Sequence, residues 1–181
     1  MATSTSSASE SNPSSMQADD NAEQYLTFML GGEEYGVDIL RVQGIQGWDE
    51  VTPIPNTPSY LLGVINLRGT VVPIVDLRKR FEMPEPEYGK TTVVIVVRVE
   101  GAEKDRTVGM VVDGVSEVYN VDRESAKPPP DLGDGMNTDF VKGLATVDDK
   151  MIILLEVDRL INEGVMDYVD VPASEPEAAS R

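Results

Sequence analysis

Gly63 to Leu77, GVINLRGTVVPIVDL, is the stretch on which the reading of the whole chain turns. Val64, Ile65 and Leu67 lead into a polar tip at Arg68 and Gly69, and a second apolar run follows from Val71 to Val75. Two β-branched runs separated by a short Gly-containing tip predict a β-hairpin. Pro73 removes one backbone donor from the second run, which predicts an edge strand or a bulge at that place. Asp76 then stands before LRKRF, where its carboxylate can cap a short helical turn that sets Leu77 and Phe81 on one side.

The chain carries this unit twice. Shifted by eighty positions, Gly143 to Val157 reads GLATVDDKMIILLEV. Gly63 falls on Gly143, the tip Arg68 and Gly69 on Asp148 and Asp149, Val71 to Val75 on Met151 to Leu155, and Asp76 on Glu156. Leu77 and Phe81 fall on Val157 and Ile161. A second echo sets YGVDILRVQGI (Tyr35 to Ile45) on VGMVVDGVSEV (Val108 to Val118), with Gly36 on Gly109 and Val42 on Val115. Two matches in the same chain order predict two similar β units, roughly 23–88 and 91–163.

A chain of 181 residues with 40% apolar content can bury one sizeable core or two small ones packed together. It has no cysteine and no histidine, which excludes disulfides, Cys or His metal sites and nucleophile mechanisms built on a thiol or an imidazole base. The net charge of −17, with Lys and Arg scattered, argues against a nucleic-acid surface. Residues 1–22 are Ser-rich and read as a disordered tail without the leader of a signal peptide, and 165–181 read as a second loose tail. No run approaches the length of a membrane-spanning helix.

Between the tails, Tyr25 to Leu30 and Glu34 to Asp38 predict a strand pair around the turn Gly31-Gly32. Ile39 to Trp48 reads as a strand, or as a short helical turn followed by one. Thr52 to Pro58, with three prolines, is an extended connector. Thr91 to Val99, TTVVIVVRV, does not alternate, so it is expected to be buried on both faces at the contact between the units. Arg106 to Val112 is its return strand and Glu117 to Val121 continues the sheet. Asp122 to Asp139 reads as a long surface loop, and Glu156 to Glu163 as a closing helix with Val157, Leu160 and Ile161 inward and Gly164 as its stop.

Catalytic motifs fail on inspection. GKT at Gly89 to Thr91 has Pro84 where a phosphate loop needs its first glycine, and GDGMNT from Gly133 lacks the third glycine of a dinucleotide fingerprint. Asp131, Asp134 and Asp139 miss calcium-loop spacing, with Lys142 where the bidentate Glu belongs. Carboxylates are plentiful, but nothing in the sequence places two of them across a cleft. The reading is of no enzyme, no cofactor and no metal.

Four stretches, YLTFMLGGEEYGVDILRVQGI, NTPSYLLGVINLRGTVVPIVDLRKRF, VGMVVDGVSEV and VKGLATVDDKMIILL, resemble the CheW family of chemotaxis adaptors. The resemblance covers Glu23 to about Ile161. It implies a mainly β fold of two interlocked five-stranded SH3-like β-barrels with partly exchanged strands, short helices and a C-terminal helix. It also implies a cytoplasmic adaptor, at membrane-associated arrays, that couples the signalling tips of chemoreceptors (methyl-accepting chemotaxis proteins) to the histidine kinase CheA and joins other CheW-like domains in rings. The alternative is an array component that binds without activating the kinase. By similarity the receptor tip would meet Val42, Ile45, Arg68, Val93 and Val94, and the kinase's related domain would lie near Gly63, Lys127, Leu132 and Gly143. The chain departs from relatives at Gly44, where they carry Glu, and at Leu132, where an aromatic is known.

Each of these residues has a plainer reading. Arg68 at a turn tip is usually a solubility charge, but the duplicate tip carries Asp148, so the fold does not need a cation there. Val42, Ile45, Val93 and Val94 are equally read as core residues of strands. Gly63, Gly69 and Gly143 are read as backbone requirements, and Lys127 as a solvated loop residue.

Overall fold

The computed structural model describes residues 22–84, 87–129, 139–163 and 165. Nearly all of the two expected tails, together with Asp131, Leu132, Asp134 and the helix stop Gly164, lie outside the described residues. Among the described residues ten strands follow one another: β1 (Ala22–Leu30), β2 (Glu33–Asp38), β3 (Val42–Gly47), β4 (Leu61–Leu67), β5 (Thr70–Asp76), β6 (Val93–Val99), β7 (Arg106–Val112), β8 (Gly114–Asp122), β9 (Val141–Val147) and β10 (Lys150–Leu155). A 3₁₀ turn at Ile39–Arg41 precedes β3, which is the second of the two readings of that stretch. Short helices α1 (Leu77–Arg80) and α2 (Val157–Asn162) follow the two hairpins.

The strands form two five-stranded sheets, ordered β8-β1-β2-β10-β9 and β3-β6-β7-β5-β4. Position by position these orders are the same, with β1 to β5 answering β6 to β10. Each sheet draws on both halves of the chain: β3, β4 and β5 join β6 and β7, while β1 and β2 join β8, β9 and β10. The first echo seen in the sequence is therefore hairpin on hairpin, and the second is β2–β3 on β7–β8.

The duplication extends to the pairing register. β2 runs parallel to β10 with Gly36 opposite Leu154, and β7 runs parallel to β5 with Gly109 opposite Ile74, a residue that sits eighty before Leu154. A Cβ at Gly36 would lie 3.2 Å from Ile152 and Leu154, and one at Gly109 would lie 2.5 Å from Ile74 Cδ1. Both places hold glycine because each sheet curls tightly enough for a facing side chain to lie on the backbone. The hairpins share a bulge as well, between Leu61 and Gly63 in β4 and opposite Leu154 and Leu155 in β9. The hairpin tips are turns with positive φ at both central residues, Arg68 (53°) with Gly69 (85°) and Asp148 (50°) with Asp149 (62°).

Pro73 corrects one expectation. β5 lies inside its sheet and Pro73 is paired in register with Val64, so the strand is neither an edge nor bulged there. Its parallel ladder to β7 covers only Ile74 to Asp76, so the missing donor falls just before that ladder begins.

Among the described residues three apolar clusters hold the fold. One lies between the sheets and takes Leu26, Phe28, Leu30 and Val37 from one, Ile95, Val97, Val99, Val108, Met110 and Val112 from the other, and Leu77, Leu160 and Ile161 from the helices. Each sheet then curls over its own cluster: Tyr25, Val121, Ala145, Ile152 and Leu154 in what we term the terminal barrel, and Val72, Ile74, Val94, Val96 and Val111 in what we term the central barrel. β6 serves both, with Ile95, Val97 and Val99 facing the shared cluster and Val94 and Val96 facing the central barrel. That is why its sequence does not alternate. Burial of each large aliphatic or aromatic side chain contributes roughly 1.5–3 kcal/mol.

Candidate functional site

In the central barrel β3 and the tip of the β4–β5 hairpin close on an open groove of about 280 Å3. Ile45 stands on its β3 side, 46% exposed, and Arg68 on its hairpin side. Gln43 and Thr107 add polar groups, tied by a 3.1 Å hydrogen bond from Thr107 Oγ1 to Gln43 Oε1. The turn that presents Arg68 is held by Gly69 N donating to Asn66 Oδ1 at 2.9 Å. Among the described residues Arg68 makes no ion pair, and it is exposed at the groove edge. A Cβ at Gly44, on the floor of the groove, would meet nothing within 4 Å.

Of the five residues expected to face a receptor tip, the fold brings Ile45 and Arg68 into this groove. Val42 and Val93 are half-buried and pack against the shared cluster. Val94 is 3% exposed, on the central-barrel cluster beneath Gly109, and it supports the sheet from within instead of presenting a surface.

The residues expected to face a kinase fall at two duplicated places. Gly63, at φ +148°, is crossed by the connector at Thr52, whose carbonyl oxygen would lie 2.1 Å from a Cβ there. Thr52 and Val64 exchange two 2.9 Å backbone bonds. Gly143 is crossed in the same way by Lys127, which exchanges two 2.8 Å bonds with Leu144. Lys127 thus belongs to a bridged connector and not to a wholly solvated loop. Gly143 and Lys127 are neighbours on the terminal barrel, Gly63 is on the central one, and Leu132 is outside the described residues.

A second hollow, about 540 Å3, opens in the terminal barrel beside Lys127. At its rim Tyr25 Oη donates to Glu23 Oε2 at 2.8 Å, Lys142 Nζ donates to Tyr25 Oη at 2.9 Å, and Arg123 Nε meets Glu23 Oε1 at 2.8 Å. The Tyr25 hydrogen bond, helped by the two cations and opposed by burial, holds the Glu23 carboxyl below its ordinary value. Burial pushes Lys142 down, but its bonds to Tyr25 and Glu23 outweigh that and hold it above. Sequence reasoning missed this cluster apart from Lys127. The available signal lay in the repeat itself, where Leu62 of the first hairpin is answered by Lys142 of the second.

No helix among the described residues is long and apolar enough to cross a membrane. Among them, too, no group of three or more acidic, His or Cys side chains is placed to hold a metal ion.

Residues 24–165 match the family model of the CheW-like domain. The chain is 43% identical to the chemotaxis protein CheW of Klebsiella aerogenes over 148 residues, covering 82% of this chain and 87% of that one. It is 37% identical to the CheW of Rhizobium meliloti, covering 86% and 92%. The fold is similar to the crystal structure of the scaffolding protein TtCheW from Thermoanaerobacter tengcongensis, with a TM-score of 0.69 and 37% identity over 77% of this chain and 88% of that one. A family model spanning most of the chain, close relatives at this level of identity, and a matching mainly β structure of two five-stranded sheets place the chain in the CheW family of chemotaxis proteins.

Proposed function

We propose that this protein is a non-catalytic cytoplasmic adaptor that holds the cytoplasmic tip of a chemoreceptor and the regulatory domain of the kinase CheA together in a chemotaxis array. The receptor tip lies along the groove of the central barrel, against Ile45 and Arg68, with Val42 and Val93 supporting the strands behind it and Val94 fixing their packing. The kinase domain and other CheW-like domains meet the barrels near Gly63, Lys127, Gly143 and Leu132. Exposed Ile45 next to Arg68 carries the reading. An apolar side chain left in solvent on the same groove as a cation that forms no ion pair among the described residues is the composition of a binding patch. The duplicate tip carries Asp148 in the same turn geometry, so the turn itself does not require Arg68.

The test is kinase autophosphorylation with CheA and a receptor signalling fragment, with and without this protein. Strong activation only when all three are present is the expected result. Arg68→Ala keeps the left-handed turn no worse strained than arginine does, so the variant should stay within about 0.5 kcal/mol of the parent in stability and lose about tenfold in receptor binding. Unchanged receptor binding by the folded variant removes Arg68 from the site. Binding of both partners without activation assigns the protein to the array-joining alternative.

A further inference from the structure

The two barrels are built alike and filled differently. Strand pairing sets Trp48 of the central barrel on Val121 of the terminal one, since each follows the same register against β6 and β1. The crossing connectors set Val51 on Ala126, and the hairpins set Leu62 on Lys142 and Ile65 on Ala145. In the central barrel Trp48, Val51, Leu62 and Ile65 all pack on the barrel's own cluster. At the answering places of the terminal barrel every side chain is smaller or charged. Tyr25, standing where the central barrel has Val94, recovers part of that volume, and what remains is the open hollow of about 540 Å3.

The hollow has an apolar lining and a cationic rim. Among the described residues, Tyr25, Val121, Ala126 and Leu154 form its walls, while Arg123, Lys127 and Lys142 stand around it with a single carboxylate, Glu23. Glu23 is already held by Tyr25, Lys142 and Arg123, and Lys127 makes no ion pair among the described residues. In a chain with 32 acidic and 15 basic residues, a rim of three cations to one acid reverses the charge of the molecule. The apolar walls, the carboxylate at the rim and the net charge of −17 disfavour nucleic acid as the occupant.

We propose that this hollow docks an acidic segment of a partner protein, with one large apolar side chain filling the volume that Trp48 and Leu62 fill in the central barrel and flanking carboxylates meeting Lys127, Lys142 and Arg123. This is the chemistry of what meets the terminal barrel beside Lys127, and it rests on the reading that partner domains dock at that end. Charge complementarity orients the segment and the apolar plug supplies most of the affinity.

The experiment is a titration of the full ¹⁵N-labelled chain with the peptide acetyl-Asp-Glu-Trp-Asp-Glu-amide, followed by amide chemical shifts. Controls replace its tryptophan by alanine or its four acids by lysine. Shifts should centre on Val121, Lys127 and Lys142, and both controls should bind about tenfold more weakly. Lys127→Glu, an exposed substitution, should lower affinity about tenfold and flatten the loss with added salt. Val121→Trp rebuilds the plug of the central barrel and should abolish binding while the spectrum remains folded. Ala126→Leu does the same from the connector if that variant does not fold. Shifts centred on the Arg68 groove, equal binding of the lysine peptide, unchanged affinity in Lys127→Glu, or no shifts at millimolar peptide would each overturn the assignment. None of these readouts involves kinase or receptor, so failure here leaves the adaptor reading to stand or fall by its own assay.

Discussion

A methyl group at Gly109 would lie 2.5 Å from Ile74 Cδ1 and 2.7 Å from Val94 Cγ1, both in the packed interior of the central barrel. Gly109→Ala is expected to cost about 1–3 kcal/mol through overpacking. Gly44→Ala has open space at its Cβ and should stay within about 0.5 kcal/mol of the parent. Thermal melts of the two variants decide, and equal melting points would refute the close-approach account. Glu23 offers a test in pH. Its carboxyl is lowered mainly by the Tyr25 hydrogen bond, so the folded state prefers the ionised form. The associated stability is therefore complete above the ordinary value of 4.5 and is lost as pH falls through the lower folded value. Glu23→Gln should lie below the parent in melting temperature at neutral pH, and the gap should narrow as the pH falls below 4.5; a gap that does not narrow with falling pH would exclude this cause. Glycines and tip residues were legible from the repeat because they answer local backbone needs. The Glu23, Arg123 and Lys142 cluster was not, since Glu23 lies about a hundred residues from the two cations and meets them only after the strands pair.

The two helices differ in one methylene at the cap. Asp76 accepts from Arg78 N at 2.9 Å and Lys79 N at 3.4 Å, and Tyr88 Oη donates to its other oxygen. Glu156 holds the same place before α2 and makes no side-chain cap bond. Its longer side chain overshoots the amides that aspartate reaches. Glu156→Asp is expected to stabilise the protein by about 0.5–1 kcal/mol, read as a rise of about 2–4 °C in melting temperature. No change would mean that the α2 amides are already satisfied in another way. Hairpins, caps and helix faces were read correctly because each rests on contacts within a few residues. Pro73 was misread because edge or interior status depends on β7, more than thirty residues away. The same holds for the ion pairs that tie the helices across the halves. Arg78 of α1 meets Asp113 at 2.6 Å and Asp158 of α2 meets Arg41 at 2.9 Å, the same connection with its charges reversed. The repeat shows that Arg78 and Asp158 correspond, but not what either one touches.

The repeat divides the sequence into halves near residue 88, yet neither half contains a sheet. The first supplies β3, β4 and β5 to the central barrel, which needs β6 to pair with β3 and β7 to pair with β5. The second supplies β8, β9 and β10 to a terminal barrel that needs β1 and β2. Fragments 1–88 and 89–181 should each lack a cooperative melt when alone and regain the parent's circular dichroism and a single transition when mixed. Cooperative unfolding of either fragment by itself would contradict this interlock. A sharper case is the continuous segment 42–112, which holds all five strands of the central barrel and every ladder between them. Its strands are complete, but Leu61, Val75, Ile95, Val97, Val108 and Met110 are covered by Phe28, Leu30, Val37 and α2, which the segment lacks. At roughly 1.5–3 kcal/mol for each fully buried side chain, uncovering six of them costs as much as the whole stability of about 5–15 kcal/mol typical of a folded domain. The segment is therefore expected to collapse without a fixed fold, seen as poorly dispersed amide signals and dye binding to exposed apolar surface. Well-dispersed signals from 42–112 alone would mean that the ladders between its strands, and not the shared apolar layer, are what hold the central barrel.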